Sequence, residues 1–371
     1  MSGASVDTLI VGGGLIGCAL AAELALRGLS VTVIEREEPG AEASGAAAGM
    51  LTPQAEAHAP GPFFDLALES RNLYPAWSRR LLEETGIDVG YRQTGLLQCS
   101  FGEGREDSDA YSWQRERGLR VEDRPRETLG GVLGGRLSPE VASAVFFPDE
   151  GAVDARLLTR AVWLSAERRG ARIVTGSAVT RFRVERGVCR GVETEAGALE
   201  ARVVVDAAGA WAAFDPAFSV PVEPVRGQIV QVRVVGEPLS TLVCSDEVYL
   251  VPRADGTVLL GSTVEHAGFR KEVTAGAVEQ LLAAAAQLVP SIAAARFVTA
   301  WAGLRPGTPD GLPILGASPV AGLLFATGHF RNGILLAPLT AKLLADAITG
   351  EPARDLSAFS IERFAGPPAR A

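Results

Sequence analysis

The chain has 371 residues, more than one ordinary domain holds, so two intertwined domains are expected, and 47% hydrophobic residues supply ample material for a core. The formal net charge is −9, lysine occurs only at Lys271 and Lys342, and no basic run is present, which argues against nucleic acid or an anionic membrane as partner. Cys18, Cys99, Cys189 and Cys244, like His58, His266 and His329, are scattered without metal-ligand spacing, so no metal site is expected.

The N-terminus reads as no signal peptide, because its first apolar stretch is interrupted by three glycines and Glu23. Leu281 to Ala295 is apolar, but Gln287 and Pro290 break it and it is too short to span a bilayer. A cytoplasmic protein without a membrane segment is expected.

Thr8 to Val11 read as a buried strand, Leu15 to Leu26 as an Ala/Leu-rich helix closed by Gly28, and Val31 to Ile34 as a second strand. Between strand and helix lies Gly12-Gly13-Gly14-Leu15-Ile16-Gly17, a dinucleotide-binding turn. Gly12 permits the tight turn, Gly14 lets the backbone approach a pyrophosphate, and Gly17 lets helix and strand pack closely. The helix N-terminus at Leu15 and Ile16 offers N–H groups and a partial positive charge to the phosphates. Glu35 stands about 20 residues on, where an acid accepts a ribose hydroxyl.

The next run, Glu42 to Met50, consists almost entirely of very small residues. It reads either as a flexible loop or poor helix, or as a wall kept small for a planar ligand, with Ser44 able to cap toward phosphate. Phe63 to Gly86 read as a helix carrying Leu66, Leu73, Trp77 and Leu81 on one side; Phe101 to Arg126 are polar and read as exposed structure of another domain. Asp154 to Arg169 read as a helix, Arg172 to Val174 and Ala178 to Val184 as strands, and Gly187 and Gly197 punctuate an antiparallel meander. Val203 to Trp211 read as a buried strand entering a small-residue turn, and Val225 to Val264 are rich in β pattern. Leu323 to Thr327 give a last strand, Leu335 to Ile348 a last helix ending at Gly350, and the tail from about Gly366 reads as disordered.

This alternation predicts a mixed α/β (α+β) fold. A Rossmann-like nucleotide-binding domain would be assembled from residues 1–60, 146–218 and 300–371. A discontinuous, mainly antiparallel substrate domain would take residues 61–145 and 219–299.

Two later segments carry chemistry. In Ala326 to Pro338 a strand ends at Gly328 and a helix begins near Ile334, so a helix N-terminus aims at whatever ring binds there. An ordinary strand–turn–helix with Arg331 solvated is the plain alternative, and His329 reads equally as a packed residue or a ligand contact. Pro338 sits late for a first-turn proline, so either the helix starts later or one ladder bond is lost. In Trp301 to Gly311, Arg305 is expected in a loop stiffened by two prolines, where a fixed guanidinium suits a carboxylate. Taken alone, Arg305 reads equally as a surface arginine. Tyr249 alternates away from Val248 and Leu250 and so faces the other side of its strand, where core packing is the default reading and a hydroxyl aimed at a substrate the other.

Together, Ala46-Ala47-Ala48-Gly49-Met50-Leu51, Tyr249-Leu250-Val251-Pro252-Arg253, Trp301 to Thr308 and Gly328 to Pro338 resemble the flavin-dependent D-amino-acid oxidase superfamily. Within it the C-terminal segment is most similar to the glycine oxidases of thiamine synthesis. The resemblance covers nearly the whole chain and is poor from about 100 to 145. It implies noncovalent FAD lined by Gly12, Gly14, Gly17, Glu35, Ser44, Gly49 and Met50, with Val179 near the adenine. It further implies Gly328, Asn332, Gly333, Ile334 and Leu335 at the isoalloxazine, Arg305 on the substrate carboxylate, Tyr249 orienting the substrate and Arg331 beside it. Glu247 and Val264 stand where relatives can carry histidine and methionine, which leaves the substrate range open.

As an activity, the resemblance implies oxidative deamination of glycine, sarcosine or small D-amino acids. Hydride passes to the flavin and oxygen reoxidises it to give hydrogen peroxide; the imine hydrolyses or passes to a thiazole synthase. A homo-oligomer stays open. The alternatives are a D-amino-acid or sarcosine oxidase, a quinone-linked D-amino-acid dehydrogenase, an NAD-binding regulator without chemistry, and a tRNA-modifying flavoprotein, against which last the acidic charge speaks.

Overall fold

The computed structural model describes residues 5–102, 110–352 and 354–365; the tail from Gly366 lies outside them. The expected βαβ unit is present as β1 (Val6–Val11), α1 (Leu15–Leu26) and β2 (Val31–Ile34), the two strands running parallel. The small-residue run forms α2 (Ala43–Ala46) and enters β3 (Met50–Leu51), α3 (Pro53–Glu56) and the long α4 (Pro62–Thr85). Next come β4 (Leu96–Phe101), α5 (Ser112–Glu116), β5 (Glu122–Pro125), β6 (Val141–Phe147) and β7 (Gly151–Ala152). Asp154 caps α6 (Ala155–Arg168) by accepting the N–H groups of Arg156 and Leu157, and the chain continues into β8 (Arg172–Val174). The meander is β9 (Val179–Glu185), β10 (Val188–Thr194) and β11 (Gly197–Asp206). The second half holds β12 (Glu223–Arg233), β13 (Leu242–Cys244), β14 (Tyr249–Pro252), β15 (Thr257–Gly261), α7 (Ala275–Leu288), β16 (Arg296–Gly307), β17 (Ile314–Ala317), β18 (Leu323–Thr327) and α8 (Gly333–Thr349).

One sheet has the order β17-β18-β11-β1-β2-β8, parallel from β18 to β8, with β17 antiparallel at its edge and the meander continuing β11. Helix α1 packs against α6 and α8. Its sides are buried nearly all round, which is why it is apolar rather than amphipathic. A Cβ at Gly17 would overlap the carbonyl of Gly12, so this glycine sets how closely helix and strand approach.

The second sheet has the order β16-β12-β15-β14-β13-β4-β6-β5 and is antiparallel except where β13 meets β4. Here the structure corrects one expectation. Trp301 to Gly307 do not form a loop: they are the second half of β16, paired along β12 from Ile229 back to Glu223. Of the two prolines that suggested a loop, Pro306 is accommodated because β16 is the edge strand, where an outward-facing missing N–H costs no ladder bond, and Pro309 follows the strand's end. Residues 300–307, assigned by sequence to the nucleotide-binding part, thus pair within the antiparallel sheet. Among the described residues no helix is long and apolar enough to cross a membrane, and no His/Cys/Asp/Glu cluster is placed to hold a metal ion.

Candidate active site

Between the two sheets lies a cavity of about 720 Å³, within the size range of cofactor sites. At one end the glycine turn forms its wall. Gly12 has φ +106°, and a Cβ there would strike the Ala207 carbonyl, so the β1 and β11 turns approach as only glycine allows. Glu35 accepts the Gly13 N–H at 2.7 Å and the Glu37 N–H at 3.0 Å, which braces the turn from β2. Ser44 Oγ accepts the Leu15 N–H at 2.9 Å, which places its hydroxyl at the N-terminus of α1. Trp211 closes this end, with the Arg36 guanidinium 3.8 Å from its ring centroid and the Phe269 ring 5.2 Å away.

The small-residue run is a fixed wall rather than a slack loop. Its carbonyls are taken by side chains from distant elements: Arg156 donates to Gly45 at 3.0 Å, Trp301 to Ala46 at 2.9 Å and Arg253 to Ala48 at 3.0 Å. Gly303 faces Ala46 so closely that a side chain on either strand or helix would have to displace the other.

At the opposite end stand Arg305, Tyr249 and Arg331. Arg305 lies flat over Gly227 of the neighbouring strand; a Cβ at Gly227 would occupy the space of the guanidinium. Its Nη1 donates to the Thr263 carbonyl at 3.0 Å and its Nη2 to Ser262 Oγ. Burial lowers the Arg305 guanidinium from its usual value, and Tyr249 beside it opposes that shift. Tyr249 is seated in the same way, its phenol over Gly261, the cross-strand partner. Burial raises the Tyr249 hydroxyl, with Arg305 and Ser262 holding it down, so it stays protonated at neutral pH. Arg331 is half exposed, 4.0 Å from Glu56. Burial pushes the Glu56 carboxyl up, against the attraction of Arg331 and then Arg305.

Of the residues singled out from sequence, Gly12, Gly14, Leu15, Ile16, Glu35, Ser44, Gly49, Met50, Val179, Gly333, Ile334, Tyr249, Arg305 and Arg331 line this one cavity, as do Glu247 and Val264. Gly17, Gly328, Asn332 and Leu335 do not line it. Gly17 packs α1 on β1, Gly328 lies against Thr308, Asn332 precedes α8 and accepts the Leu336 N–H, and Leu335 is in the core. His329 also borders the cavity but is only 3% exposed; burial drives its pKa down to about 3, and Nε2 lies 3.2 Å from Thr340 Oγ1. Sequence reasoning passed over Glu56, Ser262 and the glycine seats. The seats had a signal, an isolated glycine within a strand pattern, which marks close approach; Glu56 had none.

A glycine turn without side-chain obstruction, a helix N-terminus, a wall of small residues and a long cavity fit a flavin dinucleotide. Comparison with known proteins agrees. Residues 7–347 match the family DAO, FAD dependent oxidoreductase. The chain belongs to this family of FAD-dependent oxidoreductases. It is 40% identical over 369 residues to the glycine oxidase of Geobacillus kaustophilus (strain HTA426), covering 97% of each chain. It is 38% identical over 371 residues to the bifunctional protein ThiO/ThiG of Trichormus variabilis, with 96% of this chain and 55% of that protein covered, so it spans about half the length of that relative. The crystal structure of the Geobacillus kaustophilus glycine oxidase matches with a TM-score of 0.93 at 39% identity, covering 98% of this chain and 100% of that one.

Proposed function

We propose that this protein oxidises glycine and related small amines, such as sarcosine and small D-amino acids, to the imine or 2-oxo acid, ammonia and hydrogen peroxide. One observation carries the reading: a single cavity has the dinucleotide turn as one wall and the seated Arg305–Tyr249 pair as another. The full-length likeness to a glycine oxidase supports the choice of substrate.

In this reading Gly12, Gly14, Leu15, Ile16, Glu35, Ser44, Gly49, Met50 and Val179 hold the dinucleotide part of FAD, and Gly333 and Ile334 border its ring. Bound there, FAD supplies a two-electron acceptor for the hydride of the substrate's α-carbon. The residues supply position. Thr263 and Ser262 fix the Arg305 guanidinium, with Tyr249 beside it, and a fixed guanidinium presents parallel donors that match a carboxylate. Tyr249, protonated, offers a hydroxyl donor beside the same carboxylate. Arg331 and Glu56 border the same cavity, as do Ala43 and Ala46 of α2, whose short side chains leave room for a planar ring. The match to about half of a bifunctional protein supports a handover of the imine to a thiazole synthase.

The test is purified FAD-loaded protein assayed for peroxide with glycine, sarcosine, D-alanine and D-proline. Peroxide with glycine is expected. Reduction of an artificial quinone by D-amino acids, with no peroxide from any amine, would replace this reading with a dehydrogenase.

A further inference from the structure

The segment from Ser262 to Thr274 joins β15 to α7, and its first residues lie against Arg305. The Thr263 carbonyl that receives Arg305 is fixed from behind. Thr263 Oγ1 donates to Glu265 Oε1 at 2.6 Å and accepts the Gln228 N–H at 2.9 Å. Glu265 Oε1 also accepts from Gln228 Nε2 at 2.8 Å, and its other oxygen pairs with the Arg226 guanidinium, only 9% exposed. Backbone bonds between Arg226 and Glu265 at 2.9 and 3.0 Å hold the two residues side by side. Arg226 and Gln228 flank Gly227, the seat of Arg305, so one short stretch of β12 supports the guanidinium from below and from the side.

We propose that Glu265, backed by Arg226, is a positioning residue for the substrate carboxylate. By fixing Thr263 it holds the Arg305 guanidinium in the orientation that meets the ligand. Glu265 itself touches no substrate, and the inference rests on the reading of Arg305 as the carboxylate receptor. Against desolvation, bonds from Thr263 and Arg226 hold the Glu265 carboxyl below its usual range, so it acts as a charged acceptor throughout the neutral range. Loss of this support frees a guanidinium that otherwise meets the ligand without reorganisation, and displacements of about 1 Å at such groups cost up to about a hundredfold.

The experiment titrates FAD-loaded protein with acetate, a carboxylate that lacks the amine, following the flavin's visible absorbance, and measures glycine KM and kcat by peroxide. Glu265→Leu and Thr263→Val are expected to raise the acetate Kd and the glycine KM about tenfold, with kcat within about twofold. Glu265→Gln, which keeps an acceptor for Thr263, falls between them and the parent. Arg305→Met serves as reference. If it weakens acetate while Glu265→Leu and Thr263→Val leave the Kd unchanged, the positioning role is overturned. If Arg305→Met binds acetate as the parent does, the carboxylate reading itself fails. Should Glu265→Leu not fold, the near-isosteric Thr263→Val decides by the same Kd.

Discussion

The hydroxyl of Tyr74 donates to the backbone carbonyl of Ile334, the acceptor that Pro338, four residues on, leaves without a partner. A proline inside a helix removes that bond and crowds that carbonyl; here a buried phenol on α4 fills the gap, and Ser70 donates to Leu335 at 2.7 Å beside it. The sequence left two outcomes for Pro338, and the structure chooses the lost ladder bond, with α8 starting at Gly333. Because Ile334 borders the cavity, the repair sets where the N-terminus of α8 points. Tyr74→Phe should cost about 1–3 kcal/mol, the penalty of an unsatisfied buried carbonyl. In a Pro338→Ala background, whose new amide can reach the same acceptor, the cost should shrink. Urea denaturation of the four chains measures the coupling; equal costs in both backgrounds would refute the account.

Gly227→Ala tests the seat of Arg305. The added methyl would occupy the guanidinium's place, while β12 keeps its pairing with β16, so the chain should fold. Glycine KM should rise about 10- to 100-fold, corresponding to about 1.5–3 kcal/mol for a displaced charge-assisted bond. Circular dichroism and peroxide kinetics together check it. An alanine variant with parental KM would show that Arg305 does not need to lie flat.

How much was legible depends on where each constraint acts. The cradle was readable because its parts act locally: Gly12, Gly14 and Gly17 serve one turn, and Glu35 reaches back only to Gly13. Asp154 was likewise readable as a helix start because a cap bonds two and three residues on. Arg305 was legible as a residue to look for beside the cavity but not as part of a strand, since nothing in Arg305-Pro306 tells an edge strand from a loop. Glu56 gains meaning only from Arg331, and the buried pair of Glu150 and Arg71, 3.2 Å apart behind α3, only from the fold. Gly328, Asn332 and Leu335 share a segment with cavity residues without lining the cavity: Gly328 and Asn332 belong to the turn before α8, and along α8 the helix turns Leu335 into the core. Segment-level resemblance cannot resolve that rotation.

His329 should govern stability in acid. Its folded pKa is about 3, set by burial, against about 6.5 for an exposed histidine. The unfolded chain therefore takes up a proton first as pH falls. The group's contribution is fully present above about 6.5 and is lost progressively toward 3. Between pH 7.5 and 4.5 the parent should lose about 2–3 kcal/mol more than His329→Gln, at about 1.4 kcal/mol per pH unit below 6.5. Denaturant midpoints at the two pH values provide the measurement, and parallel losses would remove His329 from the acid response.

Trp211 is held between a cation and a ring where the glycine turn and the β11 turn converge, and Lys271, two residues beyond Phe269, pairs with Glu42 at 3.0 Å. Glu42 also binds Arg36 at 2.8 Å, so the charge that lies over the indole is itself anchored. This arrangement places a stiff aromatic wall against the dinucleotide end, and cation–π contacts of this kind contribute about 0.5–2 kcal/mol. Phe269→Ala removes one face of the support without touching the cavity lining. Aromatic pairs contribute about 0.5–1.5 kcal/mol, so FAD should then dissociate about 2- to 10-fold faster on dilution, monitored by the rise of free-flavin fluorescence. Trp211→Ala, which removes the wall itself, should exceed that effect. Release at the parental rate from both variants would show that the indole closes nothing over the cofactor.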